Sequence, residues 1–253
     1  MKITQKAAYI LGLVTLVSCN DSLYQNTEIS GERIPVDQQI KEDTAITNFI
    51  QPYKEHLNVT LDSTLAFNPT SLSKTDGTLN TAIGNLMADI VMEQANPVFK
   101  KRTGKNIDVV LLNHGGIRST LNQGNISARS AYALMPFENE IVVAELNGLK
   151  IMEMLRYLED AGTAHPVSGI KIQVNSDYKV TGAQIDGREI DSTSNYFVAT
   201  SDYLQQGGDN MNFFKNPVAL YNVDYKLRNA IIDYFSKVDT LDAKIDDRYI
   251  VVK

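Results

Sequence analysis

The sequence predicts an α/β fold, because segments typical of buried strands alternate along the chain with segments typical of amphipathic helices. "IDVVLL" (107–112) and "YFVAT" (196–200) are short and almost entirely apolar, which is typical of strands buried on both faces of a sheet. Between positions 83 and 91, apolar residues recur at spacings of three and four, which predicts a helix with one buried face.

The N-terminal half contains two predicted helices. The first covers about 37–57, and "VTLDSTLAF" (59–67) then alternates like a strand before a loop rich in Pro, Ser, Asp and Gly. The second ends at Gly104 after three basic residues, as helix C-termini prefer. Apolar residues on one side of the first helix are Ile40, Ile46, Phe49, Ile50 and Tyr53, and the second has Ile83, Leu86, Met87, Ile90 and Val91.

The C-terminal half continues the alternation. A short segment, "ISARSAYALMPF" (126–137), precedes the predicted strand "NEIVVAEL" (139–146) and the helix "LKIMEMLRYLED" (149–160). "IKIQV" (170–174) alternates like a strand, a last helix covers about 225–235, and "RYIVV" (248–252) is a final strand.

Composition bounds the classes of function. The chain has 253 residues, 43% of them hydrophobic, which suits one globular domain plus a tail. Its net charge is -6 and it has no basic run, so we expect no nucleic-acid partner. Anionic small molecules remain open as ligands, because an acidic protein can carry a locally positive site.

The N-terminus is predicted to be a targeting segment. Lys2 and Lys6 precede the apolar run "AAYILGLVTLV", which is shorter than a membrane span and typical of a signal peptide. "LVSC" then resembles the bacterial lipobox and ends at Cys19, the only cysteine. We expect a lipoprotein signal peptide at 1–19, a polar tether at 20–34 and a lipid-anchored envelope protein on the periplasmic or cell-surface side. The alternative is an ordinary signal peptide with a chance cysteine.

Two glycine-rich loops follow the buried strands. "NHGGIR" (113–118) and "QQGGDN" (205–210) would place backbone N–H groups at a sheet edge, where open α/β folds bind ligands. A third element, "LMPFENE" (134–140), lies between them in sequence. A glycine pair alone is most often a turn, and His114 could be a functional histidine or an incidental loop residue.

These blocks resemble a known family. "AIGNLMADIV", "NHGGIR", "GNISARSAYALMPFENEIVVAELNG", "HPVSGIKIQV" and "YFVATSDYLQQGGDNMNFF" are similar, in this order, to the C-terminal domain of bacterial 5'-nucleotidases and UDP-sugar hydrolases. The resemblance implies a layered α/β/β/α mixed-sheet domain over 35–253 that recognises a nucleoside or nucleotide.

The same family normally has an N-terminal metallophosphatase domain whose His and Asp ligands hold two metal ions. This sequence contains three histidines, His56, His114 and His165, and none lies in a DxH or GHxH block. Several converging ligands are needed for a two-metal site. We therefore expect no metal or cofactor in this chain, and divalent metals only in a partner metallophosphatase. His114 stands where the family usually has glycine, so we interpret it as incidental.

The resemblance implies roles for nine residues. Asn113 would contact the nucleoside, and Arg118 the phosphate or ribose end, where a guanidinium suits oxyanions. Phe137 and Tyr203 would clamp the base, with the alternative that both are buried core residues. The remaining predicted contacts are Asn139 after Phe137, Gly169 beside the pocket, the Gly207 and Gly208 pair, and Asp209 toward the ribose hydroxyls.

Two departures from the family pattern stand out. No arginine lies between Arg33 and Arg102, although the family carries one or two shortly before Gly84-Asn85, so phosphate affinity is open. Ser130 replaces a usual aspartate, which we interpret as a local change in helix capping.

Three hypotheses follow from this sequence. The first is the substrate-recognition part of a split 5'-nucleotidase-type hydrolase in nucleotide catabolism, which works with a separately encoded metallophosphatase chain. The second is a non-catalytic lipoprotein that binds nucleosides or nucleotides. The third is a decayed structural remnant, against which the retained aromatic residues and glycine loops argue.

Overall fold

The computed structural model describes residues 28–37 and 39–252. The chain divides into two units, 1–49 and 50–253, and within the described residues the helices and strands lie in the second unit apart from the start of the first helix. The predicted signal peptide and Cys19 lie outside the described residues. Among the residues described, no helix is both long enough and apolar enough to cross a membrane.

The helices and strands are numbered here in chain order. The helices are α1 (Thr44–Asp62), α2 (Ala82–Thr103), α3 (Ala128–Leu134), α4 (Gly148–Ala161), α5 (Asp202–Gln205) and α6 (Leu227–Lys237). The strands are β1 (Thr64–Asn68), β2 (Val109–Leu111), β3 (Gly124–Ser127), β4 (Glu140–Asn147), β5 (Val167–Ser168), β6 (Ile170–Val174), β7 (Val180–Ile185), β8 (Arg188–Glu189), β9 (Asn195–Ser201), β10 (Ala219–Lys226) and β11 (Tyr249–Val251).

A five-stranded mixed sheet organises the larger unit. Its strand order is β10-β4-β9-β2-β5, in which β2 and β9 are parallel and the other pairs antiparallel. A four-stranded sheet has the order β11-β6-β7-β8, and β1 pairs with β3. The predicted α/β class is confirmed, and the fold is that of a mixed α/β domain.

Two hydrophobic clusters lie on opposite faces of the five-stranded sheet. Side chains of β2 alternate between them, because successive residues of a strand point to opposite faces. Val110 packs with α2 and α6, whereas Val109 and Leu111 pack with α4 and the four-stranded sheet. Strand β2 is therefore buried on both faces as expected, whereas in "YFVAT" the last three residues are buried and Tyr196 and Phe197 are partly buried.

Helix α2 confirms the second helix prediction. Thr81 caps its start by accepting from the Gly84 N–H at 3.1 Å, and Gly104 ends it in the left-handed conformation at φ 74°. The predicted apolar stripe is buried. In α3, Ser127 and Ser130 form the reciprocal capping pair, so the capping interpretation of Ser130 is confirmed.

The first helix differs from the prediction. It begins at Thr44, after Asp43 accepts from the N–H groups of Ala45 and Ile46 at 2.9 and 3.2 Å, and it continues to Asp62 through residues predicted as strand. None of its residues is buried, so its apolar side does not contribute to the core. The sequence prediction also missed β7, whose residues follow no clear apolar alternation, and β10, although "YNVDYK" (221–226) alternates between apolar and polar residues.

Candidate functional site

Three loops meet at one edge of the five-stranded sheet. Strands β2 and β9 are parallel neighbours, so the loops that follow Leu111 and Ser201 leave the sheet at the same edge. Strand β4 is antiparallel to β9 and pairs Ile141 with Ser201, so the loop that precedes β4 arrives at this edge too. These three loops are the three glycine-rich or aromatic blocks of the sequence.

A cavity of ≈ 320 Å³ opens between the three loops. Six of the nine predicted contact residues line it, and two glycines complete it. The lining consists of Asn113, Gly115, Gly116, Arg118, Phe137, Asn139, Tyr203 and Asp209. Phe137 is 41% exposed and Tyr203 47%, so neither is the buried core aromatic that the alternative interpretation required.

The other three predicted residues lie differently. Gly208 lies beneath Tyr203, because a Cβ there would come within 2.5 Å of the tyrosine ring. Gly207 precedes it with φ 93°, a left-handed conformation that favours glycine. The prediction that Gly169 lies beside this pocket is corrected: it lines a separate cavity with Asp108 and Tyr196. At φ 78°, Gly169 serves close packing, since a Cβ would approach the Asp108 carbonyl oxygen to 2.1 Å.

Asp209 ties two of the loops together. Its carboxylate accepts from Asn113 Nδ2 at 2.6 Å and from the Tyr203 hydroxyl at 2.8 Å. The Tyr157 hydroxyl donates to the Asp209 carbonyl oxygen at 2.9 Å. The bond to Asp209 raises the pKa of Tyr203, so the phenol remains a donor. Asp209 thus holds the tyrosine ring at one wall of the cavity while its own backbone adopts φ 51°.

Arg118 and Phe137 form another part of the lining. The guanidinium carbon lies 5.7 Å from the Phe137 ring centroid, a cation–π distance, and Nη1 donates to the Gly115 carbonyl at 3.3 Å. The Arg118 N–H donates to the Leu134 carbonyl at 2.9 Å, which connects the loop after β2 to the segment carrying Phe137. Arg118 and Asp209 are the charged residues of the lining.

His114 is turned toward backbone groups rather than the cavity. The ring Nδ1 of His114 lies 3.2 Å from the Ala164 carbonyl oxygen, and the backbone N–H of His114 donates to His165 Nδ1 at 3.3 Å. His165 is only 6% exposed and packs against the Tyr157 ring at 5.5 Å between centroids. In the part of the chain that the structure describes, no three His, Cys, Asp or Glu side chains are placed to hold a metal ion.

Sequence reasoning missed two residues that support the cavity. Asp202 Oδ1 accepts from the N–H of Glu140 at 3.2 Å and of Tyr203 at 2.8 Å, which links the start of β4 to the loop after β9. Tyr157 on α4 holds the Asp209 backbone. Serine followed by aspartate is a helix-start signal, which could have drawn attention to Asp202 after Ser201. Nothing local distinguishes Tyr157 from the rest of its helix.

Comparison with known proteins assigns the chain to a family. A family model described as the 5'-nucleotidase C-terminal domain matches residues 59–216. The chain belongs to this family. It is 24% identical to a 5'-nucleotidase of Vibrio cholerae over 246 residues, covering 91% of this chain and 42% of that protein. A 5'-nucleotidase of Vibrio vulnificus is 26% identical over 204 residues, or 74% of this chain and 34% of that one.

A solved structure shares the fold. The 5'-nucleotidase precursor from Thermus thermophilus superposes with a TM-score of 0.67 at 20% identity, covering 82% of this chain and 42% of that one. The chain therefore spans less than half the length of these relatives.

His165 predicts a pH dependence of stability. Burial, with a contribution from His114, lowers the pKa of His165 from 6.5 to about 4. Between these values the unfolded chain binds a proton that the folded chain does not, so stability is lost as pH falls from 6.5 to 4. We expect the free energy of unfolding, measured with urea at pH 6.5 and at pH 4, to fall by roughly 2–3 kcal/mol less in His165→Phe than in the parent.

His56 provides the control, because it is exposed on α1. His56→Gln should keep the parent's pH dependence. An identical pH dependence in His165→Phe and the parent would contradict the assignment.

Proposed function

We propose that this chain recognises the nucleoside part of a nucleotide substrate for a 5'-nucleotidase-type phosphoester hydrolase, in partnership with a separate metallophosphatase chain. The observation that carries the proposal is the pair of half-exposed aromatic rings, Phe137 and Tyr203, in one cavity with an arginine and a carboxylate. The curated relatives named above are 5'-nucleotidases, and the proposal extends that activity to this chain together with its partner.

The two rings are suited to a flat, apolar ligand face. Large aromatic side chains that remain exposed lose the stabilisation that burial would give them. A nucleobase that stacks on them restores burial and gains roughly 1–3 kcal/mol per base. The rings come from different loops, so a base can enter between the elements that carry them.

The polar residues of the lining suit the rest of a nucleoside. Asp209 is an acceptor for sugar hydroxyls, and each carboxylate oxygen keeps a lone pair beyond its bond to Asn113 or Tyr203. Arg118 offers a planar donor group to ribose or phosphate oxygens. The Asn139 side chain adds a donor and an acceptor at the cavity wall.

The metal chemistry is assigned to the partner. Hydrolysis of a phosphoester by this family's route needs a metal-bound water whose pKa is near neutral, and this requires several converging ligands. The three histidines of this sequence lie on α1, in the loop after β2 and before β5, and only His114 and His165 are neighbours. The role of this chain would then be to bind and orient the substrate.

Substitution of the aromatic rings tests ligand binding. Phe137→Ala or Tyr203→Ala should each weaken adenosine binding in calorimetry by roughly 1–3 kcal/mol, because each removes one stacking face. This is about tenfold to a hundredfold in Kd. Asp209→Ala should weaken adenosine more than adenine, since the carboxylate addresses the sugar.

Two controls accompany these variants. Tyr203→Phe keeps the ring and should bind within a few-fold of the parent. Tyr178→Ala removes an aromatic ring of similar exposure that lies outside the cavity lining, in the β6–β7 turn. If Phe137→Ala and Tyr203→Ala both bind adenosine as tightly as the parent, the cavity has no role in base binding.

Enzyme assays test the division of labour. The purified 253-residue chain, supplied with Mn²⁺ or Zn²⁺, should release no phosphate from AMP, because it lacks the ligand set that activates water. Addition of a metallophosphatase from the same organism should restore hydrolysis if the split arrangement is correct. Metal-dependent hydrolysis by the chain alone, surviving removal of contaminants, would overturn the proposal. Binding without restored hydrolysis would favour the non-catalytic binding lipoprotein.

The envelope location rests on the N-terminal sequence. We propose that the chain is lipid-anchored at Cys19, since a small-residue block and a single cysteine follow an apolar run of signal-peptide length. Cys19→Ser should move the protein from the membrane fraction to the soluble fraction, because an acyl anchor supplies most of the membrane affinity. Unchanged partitioning in fractionated cells would show that the lipobox interpretation is incorrect.

A further inference from the structure

Arg228 is a buried arginine directly behind the loop that carries Phe137. It is the second residue of α6 and is only 4% exposed. Its Nη1 faces three consecutive carbonyl oxygens, those of Met135, Pro136 and Phe137, at 3.5, 3.1 and 3.2 Å. Its Nη2 pairs with the Glu138 carboxylate. One guanidinium therefore contacts four successive residues of this loop.

The loop is held from this side by further contacts. The Leu227 N–H donates to the Asn139 carbonyl at 3.0 Å, and Lys226 also pairs with Glu138. Lys226 and then Arg228 lower the pKa of Glu138 to about 2, so its carboxylate is charged at neutral pH. The Tyr132 ring covers the guanidinium at 4.1 Å. The start of α6 thus contacts the backbone on both sides of Phe137.

The burial of the charged Arg228 guanidinium has an energetic cost that calls for an explanation. Burial of an arginine is costly unless its donors are paired, and a well-packed apolar side chain of similar size is often as stable. Three carbonyls at one guanidinium give the loop a defined path, which a leucine or methionine could not do. The Phe137 ring is 41% exposed and so has little surrounding packing to hold it.

We propose that Arg228 is a positioning residue for the candidate site. By holding the carbonyls of Met135, Pro136 and Phe137, it keeps the Phe137 ring at the cavity wall before ligand arrives. The guanidinium faces the three carbonyls with Nη1 while Nη2 pairs with Glu138, whereas the single nitrogen of a lysine ammonium cannot span both. The consequence for affinity rests on the proposed nucleoside binding, but the effect on the loop does not.

A tryptophan reporter tests the effect on the loop without ligand. The chain contains no tryptophan, so Phe137→Trp introduces a single tryptophan at the cavity, which can be excited at wavelengths that tyrosine does not absorb. We expect its steady-state anisotropy to fall when Arg228→Lys is added, because one ammonium cannot hold the carbonyls and Glu138 together and the loop loses part of these contacts. Unchanged anisotropy in a folded double variant would overturn the proposal, whatever the protein binds.

Arg248→Lys is the matched control. Arg248 is also a largely buried arginine that holds carboxylates, those of Asp89 and Asp246, and one carbonyl, that of Val167 at 2.8 Å. It lies outside the cavity lining. Its replacement should lower the melting temperature but leave the reporter's anisotropy unchanged. A similar fall in anisotropy with both variants would mean that Arg228 acts only through global stability, which also overturns the proposal.

A double-mutant cycle tests the effect on binding. Arg228→Lys should weaken adenosine binding by about threefold to tenfold, a part of the loss caused by removing the ring. In the Phe137→Ala background it should have almost no further effect, because a residue that acts through Phe137 loses its influence with the ring. Equal effects in both backgrounds would overturn the positioning role.

A second variant, Glu138→Gln, tests the proposal if Arg228→Lys does not fold. Glu138→Gln removes the ion pair at a side chain that is 62% exposed, so it should leave folding intact. We expect a smaller fall in the reporter's anisotropy, and no change would overturn the proposal. If the parent binds no adenosine while the anisotropy responds as expected, the proposed function fails and the positioning role of Arg228 stands.

Discussion

The parallel pairing of β2 with β9 determines where every part of the candidate site lies. Val109 pairs with Val198 and Val110 with Ala199, so both strands leave the sheet in the same direction. Because β4 runs antiparallel to β9, its incoming loop reaches the same edge, and β10, antiparallel to β4, delivers α6 there. A shift of one residue in this register would turn the side chains of β2 to the opposite faces and separate the two glycine loops.

Elements buried on both faces could be predicted from the sequence, because an unbroken apolar run has few alternative placements. Strands β2 and β9 belong to this group, and the loops that follow them could be placed from them. Helix α2 could be predicted from the regular spacing of its one buried apolar face. The length of α1 could not, because an exposed helix is stabilised by capping and local interactions that the apolar pattern does not record. Strand β10 does alternate in "YNVDYK" (221–226), but the helix predicted from about 225 overlaps its end.

The cavity lining could be predicted further than the residues that support it. Phe137, Tyr203 and Asp209 belong to recognisable blocks, whereas Arg228 is distant in sequence and enters only through the packing of α6 behind the loop. Gly169 shows the opposite error. Its block was recognised, but its left-handed backbone serves close packing against Asp108 rather than a contact in the cavity. A matched motif thus identifies a backbone requirement without saying which neighbour imposes it.

The two aromatic walls are held by different means, and this has consequences for selectivity. Tyr203 is held through its hydroxyl by Asp209, and Asn113 on the other glycine loop binds the same carboxylate. Phe137 is held through its backbone, which leaves the ring face free except for Arg118. A ligand that bonds to Asp209 must therefore share the carboxylate with Tyr203, whereas a ligand that stacks on Phe137 displaces or joins a cation. The first contact suits a hydroxyl donor and the second an electron-rich ring beside an anionic group, and the nucleotide proposed above as ligand would provide both in one molecule.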